Sequence, residues 1–120
     1  MTGGRVRGTA AEQQACRYLR ERGLRLVASN FHCRRGEIDL IMQEGGDLVF
    51  VEVRYRRSER FGGALESVTP AKQRRIITAA NHFLQTHPRW CDHPCRFDVV
   101  AIGGAGGDAI DWIKDAFASE

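Results

Sequence analysis

Two acidic side chains interrupt apolar runs that otherwise read as buried strands. Asp39 lies in Gly36-Glu37-Ile38-Asp39-Leu40-Ile41-Met42, and Glu52 lies in Leu48-Val49-Phe50-Val51-Glu52-Val53-Arg54. The branched apolar residues on either side favour a pleated, half-buried surface. Gly45-Gly46 sits between the runs and predicts a tight hairpin turn. A two-residue turn there sets Glu44 opposite Asp47, Ile41 opposite Phe50, and Asp39 opposite Glu52. Directly opposed Cβ atoms lie roughly 4.5–5.5 Å apart, close enough for like charges to destabilise the pair. A divalent cation between the two carboxylates would relieve that repulsion, and hard oxygen donors suit magnesium, with manganese as its substitute. The structural alternative is a carboxylate pair held by arginines.

The same register puts Ile38, Leu40 and Met42 opposite Val49, Val51 and Val53 on one face. Ile41 and Phe50 share the other face with the acids. A carboxylate pair on strands covered on both sides is costly without a partner. A slip of one residue would move one acid to the wrong face.

Positive charge gathers around this hairpin. Arg34, Arg35, Arg54, Arg56, Arg57, Arg60, Lys72, Arg74 and Arg75 all lie near it in sequence, although the net charge of the 120-residue chain is only +3. Such clusters hold phosphate backbones, and they also occur as ordinary solvated faces. No apolar run approaches the roughly 20 residues of a membrane span, and the first residues lack the apolar core of a signal peptide. The expectation is a cytoplasmic protein with no membrane partner. In that setting Cys16, Cys33, Cys91 and Cys95 read as small apolar fillers, with no disulfides. Cys91-Asp92-His93-Pro94-Cys95 lacks a second ligand pair at zinc spacing.

The elements that must position these residues follow in order. Residues 1–8 read as a mobile tail, and residues 9–120 as one domain. Thr9-Ala10-Ala11-Glu12 is a capping box, so a helix runs from there to about Arg22, with Gly23 closing it. On local grounds Glu12 is a capping residue. Leu24–Ala28 is a first strand, Ser29-Asn30 a turn or bend, and Phe31–Arg35 an extension of that strand. Residues 56–67 form a polar loop leaving the strand that carries Glu52. Thr69-Pro70 caps and starts a second long helix, which His87-Pro88 ends. Lys72, Arg74 and Arg75 in its first turns oppose the helix dipole, an arrangement that a bound anion would explain. Cys95–Ile102 is a buried strand, residues 103–107 a glycine turn, Ala109–Ile113 a short last strand, and Ala116-Phe117 a terminal hook. The order predicts an α/β fold with a mixed sheet of about five strands flanked by helices.

Taken together, Glu12, Gly36-Glu37-Ile38-Asp39-Leu40-Ile41 and Val49-Phe50-Val51-Glu52-Val53-Arg54 resemble the YraN-like family of uncharacterised bacterial proteins. Phe61-Gly62, Lys72 and Arg96-Phe97-Asp98-Val99-Val100 extend the resemblance over nearly the whole chain. That family looks related to archaeal Holliday junction resolvases in the PD-(D/E)xK superfamily. The resemblance implies a restriction endonuclease-like core and a metal site with Asp39 and Glu52 as its acids. It further implies the backbone carbonyl of Val53 as a ligand, and Glu12 as a helix glutamate approaching the metal. Glu37 belongs to the family string and would support the site. Arg54 departs from the usual lysine. Its fork suits phosphate, but it does not readily give up a proton and is a poor general base.

The resulting expectation is a magnesium- or manganese-dependent endonuclease acting on DNA and selective for branched structures. Asp39, Glu52, Arg54, Lys72 and Glu12 form its catalytic set. Arg34, Arg35, Arg56, Arg57, Arg60, Lys72 and Arg75 hold nucleic acid. The alternative is a nucleic-acid-binding module of the same fold that has lost cleavage. Resolvase relatives cut as dimers, so the resemblance also allows a homodimer.

Overall fold

The structure, a computed structural model, describes residues 8–55, 64–103 and 109–118. The expected tail therefore falls outside the described residues except for Gly8. So do Arg56, Arg57, Arg60 and most of the glycine turn after Gly103. Helix α1 spans Ala10–Glu21. Strands β1 (Arg25–Cys33), β2 (Gly36–Glu44) and β3 (Asp47–Tyr55) follow. Then come the short helix α2 (Ala64–Ser67), the long helix α3 (Pro70–Thr86) and a single 3-10 turn at Pro88–Trp90. Strands β4 (Cys95–Gly103) and β5 (Ala109–Phe117) complete the chain. The five strands form one mixed sheet in the order β1-β2-β3-β4-β5, with only β3 and β4 parallel. The fold is α/β, consistent with a restriction endonuclease-like core.

The helix ends follow their caps. The Thr9 hydroxyl accepts from Glu12 N–H at 3.2 Å, and the Glu12 carboxylate accepts from Thr9 N–H at 3.2 Å. Arg22 is the C-cap of α1, with Gly23 next in the chain. Thr69 caps α3 by accepting from Lys72 N–H, and Pro70 follows it. Each helix covers one face of the sheet. Ile76, Ala79, Ala80 and Phe83 of α3 pack with Ile41, Phe50, Phe97, Val99 and Ala101. Ala15, Cys16 and Leu19 of α1 pack with Leu40, Met42, Val49, Val51 and Val100.

The β2–β3 hairpin has the register the turn predicts: Glu44 faces Asp47, Ile41 faces Phe50 and Leu40 faces Val51. Pairing between the two strands stops there. Residues Gly36 to Ile38 stay with β1, while Glu52 to Tyr55 stay with β4. The sheet thus forks at Asp39. Ile38 consequently joins the α3-side core with Phe31, contrary to the face that strict alternation gives it. Opposite the fork, Asn30 adopts φ 51, so the expected bend is a single left-handed residue inside a continuous β1. Asparagine tolerates this region better than most residues.

Three further expectations change. Arg34-Arg35 make the turn between β1 and β2 and do not extend the strand. The Ala116-Phe117 hook is the end of β5, which passes Asp115 at φ 52 and stacks Phe117 on Phe97 at 5.0 Å. Of the cysteines, only Cys16 is a buried filler. Cys33 is half-buried, while Cys91 and Cys95 are exposed, and all four are free thiols.

Candidate functional site

The fork exists because a side chain replaces a ladder bond. Val53 N–H donates to Asp39 Oδ2 at 2.8 Å, so the aspartate itself bridges the parting strands. Glu52 lies one residue before Val53 on β3 and is only 4% exposed. The Asp39 carboxyl lies close enough to Glu52 for its charge to disfavour ionisation of Glu52. Burial pushes Asp39 up to about 6, with the Glu12 charge adding to it and the Val53 N–H opposing it. Burial, followed by the Asp39 charge, pushes Glu52 up to about 7 against the pull of Lys72. Among the described residues no cation forms an ion pair with Asp39.

Each helix delivers its third residue to the fork. Side chains on a helix lean toward its N-terminus, so a residue in the first turn reaches past the helix end. From α3, Lys72 Nζ reaches Glu52 Oε2 at 3.2 Å. From α1, Glu12 approaches Asp39 closely enough to repel it. Glu12 also keeps its capping bond and accepts from Asn30 Nδ2 at 3.3 Å. Gly8 packs against this group, where a Cβ would collide with Glu12 Oε1. Local capping and proximity to the acids are thus both true of Glu12.

Arg54 stays beside Glu52, with Nη1 at 3.4 Å from Oε2, while its Nε donates to Ser67 Oγ at 2.9 Å. A pocket on the α3 side is lined by Glu37, Glu52, Lys72, Arg75 and Ile76. Arg34 and Arg35 are exposed at the neighbouring hairpin turn. That turn is held against α3 because Gly36 lies directly on the Arg75 carbonyl, a contact no side chain would permit. The structure therefore gathers Asp39, Glu52, Arg54, Lys72, Arg75 and Glu12 around one fork, with Arg34 and Arg35 at its rim.

The donor set that a cation would meet is all oxygen. Half-buried Asp39 and buried Glu52, both held above the ordinary carboxylate range, are short of positive charge, which fits magnesium. Among the described residues no group of three or more His, Cys, Asp and Glu side chains is arranged to hold a metal ion. Glu12 is committed to Thr9 and Asn30, so the carboxylate pair stands as a two-acid site. Magnesium commonly takes one or two carboxylates plus substrate oxygens. Sequence reasoning missed Asn30 and Ser67, which restrain Glu12 and Arg54, and gave Glu37 only a supporting place. The Ser29-Asn30 pair within a strand-like run was the available signal for the first.

The family model for the uncharacterised protein family UPF0102 matches residues 11–102, a span that includes every acid at the fork. The chain belongs to the UPF0102 family. A UPF0102 protein of Nitrosococcus oceani is 57% identical over 117 residues, covering 97% of this chain and 94% of the relative. UPF0102 proteins of Pseudomonas fluorescens and Stutzerimonas stutzeri are 53% and 54% identical, each over 93% of this chain and 93% and 94% of the relative. The YraN-like resemblance is borne out at the level of this UPF0102 family. No helix among the described residues is long and apolar enough to cross a membrane.

Proposed function

We propose that this UPF0102 protein is a magnesium-dependent endonuclease that hydrolyses DNA phosphodiesters, selective for branched or distorted structures. The observation that carries the reading is the carboxyl pair at the strand fork, half-buried Asp39 and buried Glu52, both pushed above the ordinary carboxylate range, with Lys72 directed onto Glu52. Asp39 and Glu52 would hold the cation, with the Val53 carbonyl as a further ligand, while Glu12, held by Thr9 and Asn30, stands beside them. When bound, the metal supplies a lowered water pKa and charge neutralisation at the phosphate. Lys72 and Arg75 beside Glu52 form a cationic wall for a phosphate, and Arg34 and Arg35 continue it at the rim. Lysine and arginine contacts to a backbone position the strand without reading its bases, which favours recognition of structure over sequence.

Arg54 favours a second reading, a binding module that has lost cleavage. Its guanidinium is anchored by Ser67 and Glu52 and cannot act as a base near neutral pH. In the cleaving enzyme its role is therefore phosphate binding, with Lys72 as the nearer ammonium.

Labelled duplex, single-stranded, flap and four-way-junction DNAs incubated with magnesium or manganese distinguish the two. Cleavage by the wild type that disappears in Glu52→Ala is the expected result. Cleavage only by Arg54→Lys would establish the binding module. Absence of cleavage in all three proteins, together with absence of DNA binding, would sink both readings.

A further inference from the structure

Among the described residues every aromatic side chain but one has a ring or cation partner. Tyr18 meets Trp112 edge-on and lies under Arg22. Phe31, Phe50, Phe83, Phe97 and Phe117 form a chain of stacked and T-shaped contacts, and Trp90 contacts His93 and Arg89. The Tyr55 side chain has neither a ring partner nor a hydrogen bond among these residues, and at 59% it is the exposed large hydrophobic of the described surface. A lone exposed aromatic is unremarkable in itself. Its place is what matters. It ends β3, three residues after Glu52 and next to Arg54, where β3 has left β2 and remains paired only with β4. Strand alternation puts it on the face of Val53, which packs on the α1 side, while Glu52 and Arg54 share the α3 side. Three residues of strand span roughly 10 Å.

We propose that Tyr55 is a stacking platform for one unpaired nucleobase of the substrate, and so a specificity-determining residue. The inference rests on the nucleic-acid reading above. A backbone phosphate held by Arg54 and Lys72 on the α3 side would bring its neighbouring base within reach of the ring three residues along β3 from Glu52. A base paired within an uninterrupted duplex cannot stack there. Tyr55 would therefore give single strands, flaps and junctions an advantage over continuous duplex. Aromatic stacking tolerates any base, so the preference would be for structure and not sequence.

The test is fluorescence-anisotropy binding in EDTA, using a labelled single strand, its duplex and the same single strand carrying abasic positions. Wild type is compared with Tyr55→Ala and Tyr55→Trp, and circular dichroism confirms folding of both variants. Tyr55→Ala should bind the single strand about tenfold more weakly, the scale of one stacked base. Its duplex binding should be unchanged, Tyr55→Trp should restore the difference, and abasic positions should weaken the wild type and Tyr55→Trp but not Tyr55→Ala. Equal single-strand binding by wild type and Tyr55→Ala would overturn the platform while leaving the nucleic-acid reading intact. No binding of any DNA by the wild type would overturn both.

Discussion

Two clusters of acids lie at different places on the same sheet and are treated in opposite ways. At the β4 end, Asp98 is fully buried yet every polar contact around it is answered. Arg96 Nε donates to it at 3.0 Å, Trp112 Nε1 at 2.9 Å and Asp115 N–H at 3.0 Å. Arg96 continues to Glu44 and Asp47, and Lys114 adds a further contact to Glu44. The Arg96 hydrogen bond holds Glu44 below its ordinary range. At the fork, Asp39 and Glu52 crowd each other, and both sit above the ordinary carboxylate range. One cluster ties β2, β3, β4 and β5 together. The other stores repulsion that a bound cation could release. A buried charge network that is complete is architecture, and one that is incomplete points to a ligand.

The largest expected contrast comes from removing one acid from each cluster. Asp98→Ala strands the Arg96 guanidinium and the Trp112 and Asp115 donors, at a cost of about 3–5 kcal/mol in urea unfolding. Asp39→Asn keeps an acceptor for Val53 N–H and removes the repulsion with Glu52. In EDTA at pH 7.5 it should therefore be neutral or more stable, by on the order of 1 kcal/mol. Equal losses in the two variants would erase the distinction between the clusters.

The pH dependence of stability should show the same opposition with a smaller effect. A carboxyl whose folded pKa is raised binds its proton more tightly in the folded state. Metal-free protein should thus gain stability as pH falls from about 7 through about 6, the folded values of Glu52 and Asp39. The gain is on the order of 2 kcal/mol for the coupled pair. Glu44 acts with the opposite sign: its contribution is present above its ordinary value of 4.5 and is lost as pH falls below it. Thermal melts across pH 3–8 should therefore peak between these limits. The combined Asp39→Asn, Glu52→Gln variant should lose the neutral limb and keep the acid one.

Much of this was legible in the sequence where the determinant was local. The glycine pair set the hairpin register, and threonines placed three residues before Glu12 and Lys72 set both helix starts. The hairpin also brought Asp39 and Glu52 near each other, but the direct cross-strand pair expected of them does not form, because β2–β3 pairing ends at Leu40 and Val51. Strand alternation failed at Ile38 because it assumes continuous pairing, and Asp39 breaks the ladder with its own side chain. The Arg96 network was not legible either. Arg96 and Asp98 are neighbours in sequence, but Glu44 and Asp47 reach them only through the parallel β3–β4 pairing. The short helix α2 fell within a stretch whose polar, glycine-containing composition reads as loop.

The most direct test of the central claim is isothermal titration of magnesium, and of manganese, into the wild type, Asp39→Asn and Glu52→Gln at pH 7. A single site is expected in the wild type, with heats that depend on the buffer because binding releases protons from carboxyls whose pKa values are raised. Either substitution is expected to abolish that site. Absence of binding to the wild type, or unchanged binding in both variants, would contradict the assignment of the fork as a metal site.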